Sequence, residues 1–157
     1  MKELDFTIRE AVNEPIKEYR SNSPEKLSLK NKINELKSEV FDIPIIINGQ
    51  EIRTGETGEC VMPHNHKHVL AKYHKAGEKE VKMAIDNLLE TWKTWSNTSL
   101  KNRIEIFQNM ADLLQGPYRD LINASTMLGQ SKNAFQAEID SACELIDFFN
   151  FNCEYLY

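Results

Sequence analysis

Residues 129–157, GQSKNAFQAEIDSACELIDFFNFNCEYLY, constrain the fold more than any other stretch of the chain. Phe135, Ile139, Ala142, Ile146, Phe149, Cys153 and Leu156 alternate at spacings of four and three, so a helix places them along one face. Ser131 is predicted to cap its start, and Asp140, Glu144, Asp147 and Glu154 fall on the opposite, solvated side. Leu145, Phe148 and Phe151 widen the apolar surface, which therefore demands a partner. With Phe148, Phe149, Phe151, Tyr155 and Tyr157 gathered at one end, we expect the fold to be interrupted there and the rings to meet further chain.

Upstream, the pattern changes several times. Residues 1–22 are polar and weakly patterned, with Pro15 interrupting any early helix, and are expected to form an arm lying on another surface. Ser23-Pro24 supplies a cap and a first-turn proline for a helix that buries Leu29, Ile33, Leu36 and Val40 and ends near Phe41. Ile45-Ile46-Ile47-Asn48-Gly49-Gln50-Glu51-Ile52 is a hairpin signal, because Asn-Gly accepts the positive φ angles of a two-residue turn. Two more short strands are predicted around residues 60–62 and 69–74, separated by Pro63.

From Glu78 onward the period is helical. Val81, Ile85, Leu88, Trp92 and Trp95 form one stripe; Leu100, Ile104, Phe107, Ala111 and Leu114, capped by Ser99, form the next. Gly116-Pro117 opens a third helix running through Met127, with Gly129 expected to permit the break before the last one. The reading is thus of residues 1–22 as an arm and 23–157 as one incomplete domain, mostly helical with a small β-hairpin and strand section.

Charge and composition exclude several function classes. A net charge of −5, from 24 acidic and 19 basic residues, gives no broad attraction for nucleic acid or anionic lipid. The longest strongly apolar run, residues 43–47, is far below the ~20 residues of a membrane helix. The acidic start lacks both a signal region and an Arg-rich leader, so a soluble cytoplasmic protein is expected.

Catalytic candidates are weak. Cys60, Cys143 and Cys153 form an odd set without a Cys-x-x-Cys spacing; Cys143 and Cys153 fall within a helix and read as packing groups, and Cys60 follows the acidic Glu59. His64, His66 and His68 alternate, which could gather them on one strand face around a metal, but no further ligand is evident and a solvated strand end is the better account. His74 is expected to face solvent. No Gly-x-Gly-x-x-Gly or other phosphate loop is present, so no residue is assigned to catalysis, cofactor or metal. Glu138 is the one carboxylate beside the apolar stripe, one turn before Ala142, and should face an interior or a channel.

Several of these stretches carry a family resemblance. Ile47-Asn48-Gly49-Gln50-Glu51, Pro63-His64-Asn65-His66-Lys67-His68, Gly129-Gln130-Ser131-Lys132 and Gln136-Ala137-Glu138-Ile139-Asp140 resemble the α/β aldehyde dehydrogenase superfamily. Residues 127–152, with Asn13-Glu14-Pro15 and Ser23-Pro24-Glu25, are similar to its 1-pyrroline-5-carboxylate dehydrogenase branch. The resemblance spans essentially the whole chain but a minority of the family's length.

The resemblance implies oxidation of L-glutamate γ-semialdehyde to glutamate with NAD. In that chemistry a cysteine thiolate attacks the aldehyde, hydride leaves to the nicotinamide, and a glutamate-activated water releases the acid. It places the nucleophile, the base and the main cofactor loops beyond this segment. This chain would then be the N-terminal part of the cofactor-binding domain, inactive by itself, with a homo-oligomer formed by the complete enzyme and the mitochondrial matrix as a second compartment. The last helix would border the aldehyde channel, where Glu138 would position the substrate ammonium or shape the wall. The competing expectation is a noncatalytic helical interaction module, or one part of a split enzyme.

Overall fold

The computed structural model describes residue 6 and residues 8–156. Two compact units emerge, one of residues 37–98 and one joining residues 1–36 to 99–157.

In the unit of residues 37–98, β1 (Phe41–Ile43) runs parallel to β5 (Asn65–His74), which pairs on its other side antiparallel to β4 (Thr57–Met62). The second and third strands, β2 (Ile45–Ile47) and β3 (Gln50–Ile52), form the expected hairpin. Asn48 (φ 52°) and Gly49 (φ 71°) supply its turn, whose backbone twist matches the right-handed twist of the strands. Met62, Leu70 and Ala71 are the buried side chains of the three-stranded sheet.

The strand β1 was not anticipated. Its partner, Ala71 opposite Phe41, lies far along the sequence, and three residues ending at Pro44 leave no local signature of a parallel pairing. The same strand explains why α1 (Pro24–Lys37) ends earlier than its apolar spacing suggested: Phe41 is recruited by β5. The helix α2 (Glu78–Trp95) follows, its first turn closed by Gly77 N–H donating to Glu80 Oε2 at 2.9 Å. Its predicted stripe forms, but Val81, Ile85, Leu88 and Trp92 remain exposed.

The other unit is helical: α1, then α3 (Leu100–Gln115), α4 (Arg119–Gln130), α5 (Ala134–Ala137) and α6 (Glu144–Tyr155). Ser99 Oγ accepts from Asn102 N–H at 3.2 Å, the predicted cap of α3. Two apolar clusters hold the unit. Tyr19, Leu29 and Ala124 gather Ile33, Leu36, Met127 and Ala134, while Ala111, Ala142 and Ile146 gather Leu114, Ile122 and Phe149. The rings of Phe107 on α3 and Phe149 on α6 pack with centroids 5.7 Å apart.

The break before the last helix differs from the expectation. Helix α4 continues through Gly129, and Ser131 terminates it in the left-handed region at φ 57°. The cap of α5 is Asn133, whose Oδ1 accepts from Gln136 N–H at 2.9 Å while Gln136 Oε1 accepts from Asn133 N–H at 3.1 Å.

Between α5 and α6 the helix widens into a π-turn over Glu138–Cys143, with Glu144 N–H donating to the carbonyl five residues back, at Ile139. This wider turn rotates everything before it. Ala142, Ile146 and Cys153 are buried as the spacing predicts, but upstream the interior positions are Ala137 and Glu138, and Phe135 is 60% exposed.

Candidate functional site

The π-turn brings Glu138 to the interior, fully buried, where its carboxylate is the hub of a polar network. Oε1 accepts from Lys17 N–H at 2.8 Å and Arg119 Nη2 at 2.5 Å. Oε2 accepts from the Tyr19 hydroxyl at 2.7 Å, Asn123 Nδ2 at 2.7 Å and Arg119 Nε at 3.3 Å. Arg119, 2% exposed at the start of α4, also donates through Nη1 to Glu14 and through Nη2 to the Pro15 carbonyl at 3.0 Å. Gln115 Nε2 engages the other Glu14 oxygen.

Electrostatics follow from this packing. Burial opposes ionisation of Glu138, but the Arg119 guanidinium, assisted by Lys17 N–H and the Tyr19 hydroxyl, outweighs it and holds the carboxyl below its usual range. Burial likewise works against charge on Arg119, and its bonds to Glu138 and Glu14 raise it above an ordinary guanidinium. Burial and then the bond to Glu138 push the Tyr19 phenol up. The Cys143 thiol is pushed up to about 11, by burial first and by Glu138 second.

Glu138 is interior, and its surroundings weigh against direct contact with a substrate ammonium. Both oxygens are occupied by protein donors, leaving no lone pair aimed at an incoming ammonium. The arrangement is a fastener. It ties residues 14–19 to α4 and to the π-turn, and it holds Tyr19 at φ 51°, a conformation rarely adopted by an aromatic residue. Arg119, Tyr19 and Asn123 carry no local signal in the sequence, and Glu14 stands out only within the Asn13-Glu14-Pro15 stretch; the available signal is the carboxylate on a buried helix face, which requires a cation.

Other candidates fall elsewhere. Cys143 and Cys153 are buried and both thiols are pushed up by desolvation, whereas Cys60 is exposed on β4. Among the described residues, no group of three or more His, Cys, Asp or Glu side chains is arranged to hold a metal ion. The solvent-facing expectation for His74 is overturned: its side chain is only 8% exposed. Gly55 N–H lies 3.2 Å from Nδ1, and Nε2 lies 3.2 Å from Asp42 Oδ1. Asp42 also accepts from Arg53 Nε at 2.6 Å, which is the main reason its carboxyl lies below the usual range.

A cleft of about 450 Å³ between α3 and α6 is lined by Arg103, Ile104, Phe107, Phe148, Phe149 and Leu156, among others. Its walls are mostly apolar. Among the described residues, no helix is long and apolar enough to cross a membrane.

Comparison with known proteins accounts for this architecture. The model of the aldehyde dehydrogenase family matches residues 51–157. The chain is 41% identical over 152 residues to the delta-1-pyrroline-5-carboxylate dehydrogenase of Agaricus bisporus, covering 96% of this chain and 28% of that protein. It is 40% identical over 144 residues to the mitochondrial delta-1-pyrroline-5-carboxylate dehydrogenase of Homo sapiens, covering 92% and 26%. A crystal structure of the Mycobacterium tuberculosis delta-pyrroline-5-carboxylate dehydrogenase bound with NAD superposes with a TM-score of 0.94 at 35% identity, covering 99% of this chain and 29% of that one. The chain thus spans little more than a quarter of the length of the curated relatives it matches. With a family match over more than half of its residues, the chain belongs to the aldehyde dehydrogenase family.

Proposed function

We propose that these 157 residues supply the N-terminal portion of the cofactor-binding domain in an NAD-dependent dehydrogenase. Its reaction is oxidation of L-glutamate γ-semialdehyde, derived from 1-pyrroline-5-carboxylate, to L-glutamate in proline degradation. The carrying observation is the 41% identity sustained over 152 residues to a protein of that name. The NAD bound in the similar Mycobacterium tuberculosis structure supports the choice of cofactor.

Neither of two clefts in the helical unit offers an evident cradle for a dinucleotide. The α3–α6 cleft is apolar, and the second cleft of this unit, lined by Tyr19, Lys26, Lys30, Ile33, Met127 and Phe135 among others, has no glycine-lined loop. Cys143 and Cys153 are buried with thiols pushed up by desolvation, which makes both poor nucleophiles. A barrier reduction of many kcal/mol requires a cofactor cradle and a nucleophile, so the isolated chain should be inactive.

Within the complete enzyme, Glu138 would shape the aldehyde channel by holding the π-turn in place. The complete enzyme is proposed to be a homo-oligomer acting on a small aldehyde, without nucleic-acid or membrane partners. Its proposed compartment is the cytoplasm, with the mitochondrial matrix as the alternative suggested by the name of the human relative.

The test supplies 1-pyrroline-5-carboxylate and NAD to two proteins, the isolated 157-residue chain and the product of the uninterrupted reading frame containing it. NADH formed by the latter alone is the expected result. NADH from the isolated chain, or none from the frame product, would overturn the reading. Exposed apolar side chains on α2 and α6, including Leu88, Trp92 and Phe148, favour a second reading in which the chain assembles with a separate polypeptide. Activity restored only on mixing the two would identify that split enzyme.

A further inference from the structure

His74 is the last residue of β5, and its side chain is 8% exposed where β1 and the turn before β4 meet it. Asp42 Oδ1 on β1 lies 3.2 Å from Nε2, and the backbone nitrogen of Gly55, between β3 and β4, lies 3.2 Å from Nδ1. The two neighbours make opposite demands on the ring. A carboxylate accepts a hydrogen bond, whereas a backbone N–H can only donate one.

The charges around the ring decide what a further proton does. Asp42 also accepts from Arg53 Nε at 2.6 Å, and Arg53 Nη1 donates to Glu51 at 2.9 Å. The Arg53 guanidinium holds the Asp42 carboxyl below its usual range, so Asp42 is ionised throughout roughly pH 5–8, the interval in which histidines ordinarily gain charge. On the remaining sides, Lys75 faces Glu56 at 3.9 Å, and Lys72 is in register with Asp42 on β1 and Glu59 on β4. The nearest charge to the imidazole is therefore the Asp42 carboxylate.

We propose that His74 is a proton-operated clasp. With one proton, on Nε2, the ring holds both Asp42 and Gly55; a second proton, on Nδ1, releases Gly55 and tightens the bond to Asp42. The arriving proton takes the lone pair that faces Gly55 N–H, so two donors then oppose each other and the turn withdraws. At the other nitrogen the hydrogen bond becomes charge-assisted, imidazolium to carboxylate. The response stays local, because Thr54 Oγ1 still donates to the Lys75 carbonyl at 3.0 Å and Lys75 N–H to the Glu56 carbonyl at 2.8 Å. Gly55 is exposed, so its freed N–H passes to water.

NMR on the nitrogen-15-labelled 157-residue chain tests both states. At pH 8 the His74 ring should carry its proton on Nε2, with a scalar coupling across the hydrogen bond from Gly55 N to Nδ1. Between pH 8 and pH 5 that coupling should vanish in step with the charging of His74. The protection factor of the Gly55 amide, its exchange rate relative to the intrinsic one, should fall severalfold over the same range while the Lys75 amide stays protected. In His74→Gln, which has no ring to titrate, the step at Gly55 should be absent.

A proton on Nδ1 at pH 8, a ring that stays neutral down to pH 5, or a Gly55 amide unmoved as His74 charges would overturn the proposal. So would a step of the same size in His74→Gln.

Discussion

Arg119 and Glu138 meet through two hydrogen bonds, from Nη2 to Oε1 at 2.5 Å and from Nε to Oε2 at 3.3 Å, with both side chains almost wholly removed from solvent. The third arm of the same guanidinium reaches Glu14, 105 residues away in sequence. One cation thereby joins the extended arm, the start of α4 and the π-turn.

Replacing Arg119 with Met should destabilise the fold by about 3–5 kcal/mol, because it would leave the Glu14 and Glu138 carboxylates buried without their cation. Urea unfolding followed by far-UV circular dichroism measures this directly. A loss below about 1 kcal/mol would show that the network carries little of the arm's attachment. Arg9→Ala, by contrast, removes a half-exposed pair with Asp112 and should cost no more than about 1 kcal/mol.

Most of the helical framework was legible in local pattern. The Asn48-Gly49 turn, the Ser99 cap and the buried positions Ala142, Ile146 and Cys153 follow from short-range chemistry and a 3.6-residue period. What escaped depended on partners distant in sequence or on a departure from that period. β1 exists because β5 accepts it, and His74 is buried because Asp42 and Gly55 converge on its ring. The extra width of the π-turn exchanged Ile139 and Phe135 for Glu138 and Ala137 on the inner face, a shift that uniform helical spacing cannot express.

Acid should weaken the fold through Glu138. Its carboxyl is held below the ordinary value of 4.5, so as pH falls the unfolded chain takes up this proton before the folded one does. The stabilisation is present above about pH 5 and lost as pH falls through the folded-state value. Tyr19 acts in the opposite direction at high pH: its phenol is raised above the ordinary 10.0, so its contribution is lost as pH rises beyond that value. Urea midpoints between pH 3 and 11 should trace both limbs, and Glu138→Gln should flatten the acid one; an unaltered acid limb would remove Glu138 from the account.

Thiol labelling should distinguish the three cysteines. In the native chain at pH 8 one thiol, Cys60, should react promptly with a disulfide reagent, while Cys143, with its thiol pushed up to about 11, and Cys153 stay protected. All three should react in denaturant. A second fast native thiol would show that one of the buried sites opens readily.

The most direct test of Glu138 as a fastener is Glu138→Gln in the proposed dehydrogenase, measuring thermal stability and KM for glutamate semialdehyde on the same preparation. Because both carboxylate oxygens are already held by Lys17, Tyr19, Asn123 and Arg119, the expected result is a lowered Tm, corresponding to about 2–4 kcal/mol, with KM essentially unchanged. A severalfold rise in KM at unchanged Tm would contradict it, showing that the carboxylate holds the substrate.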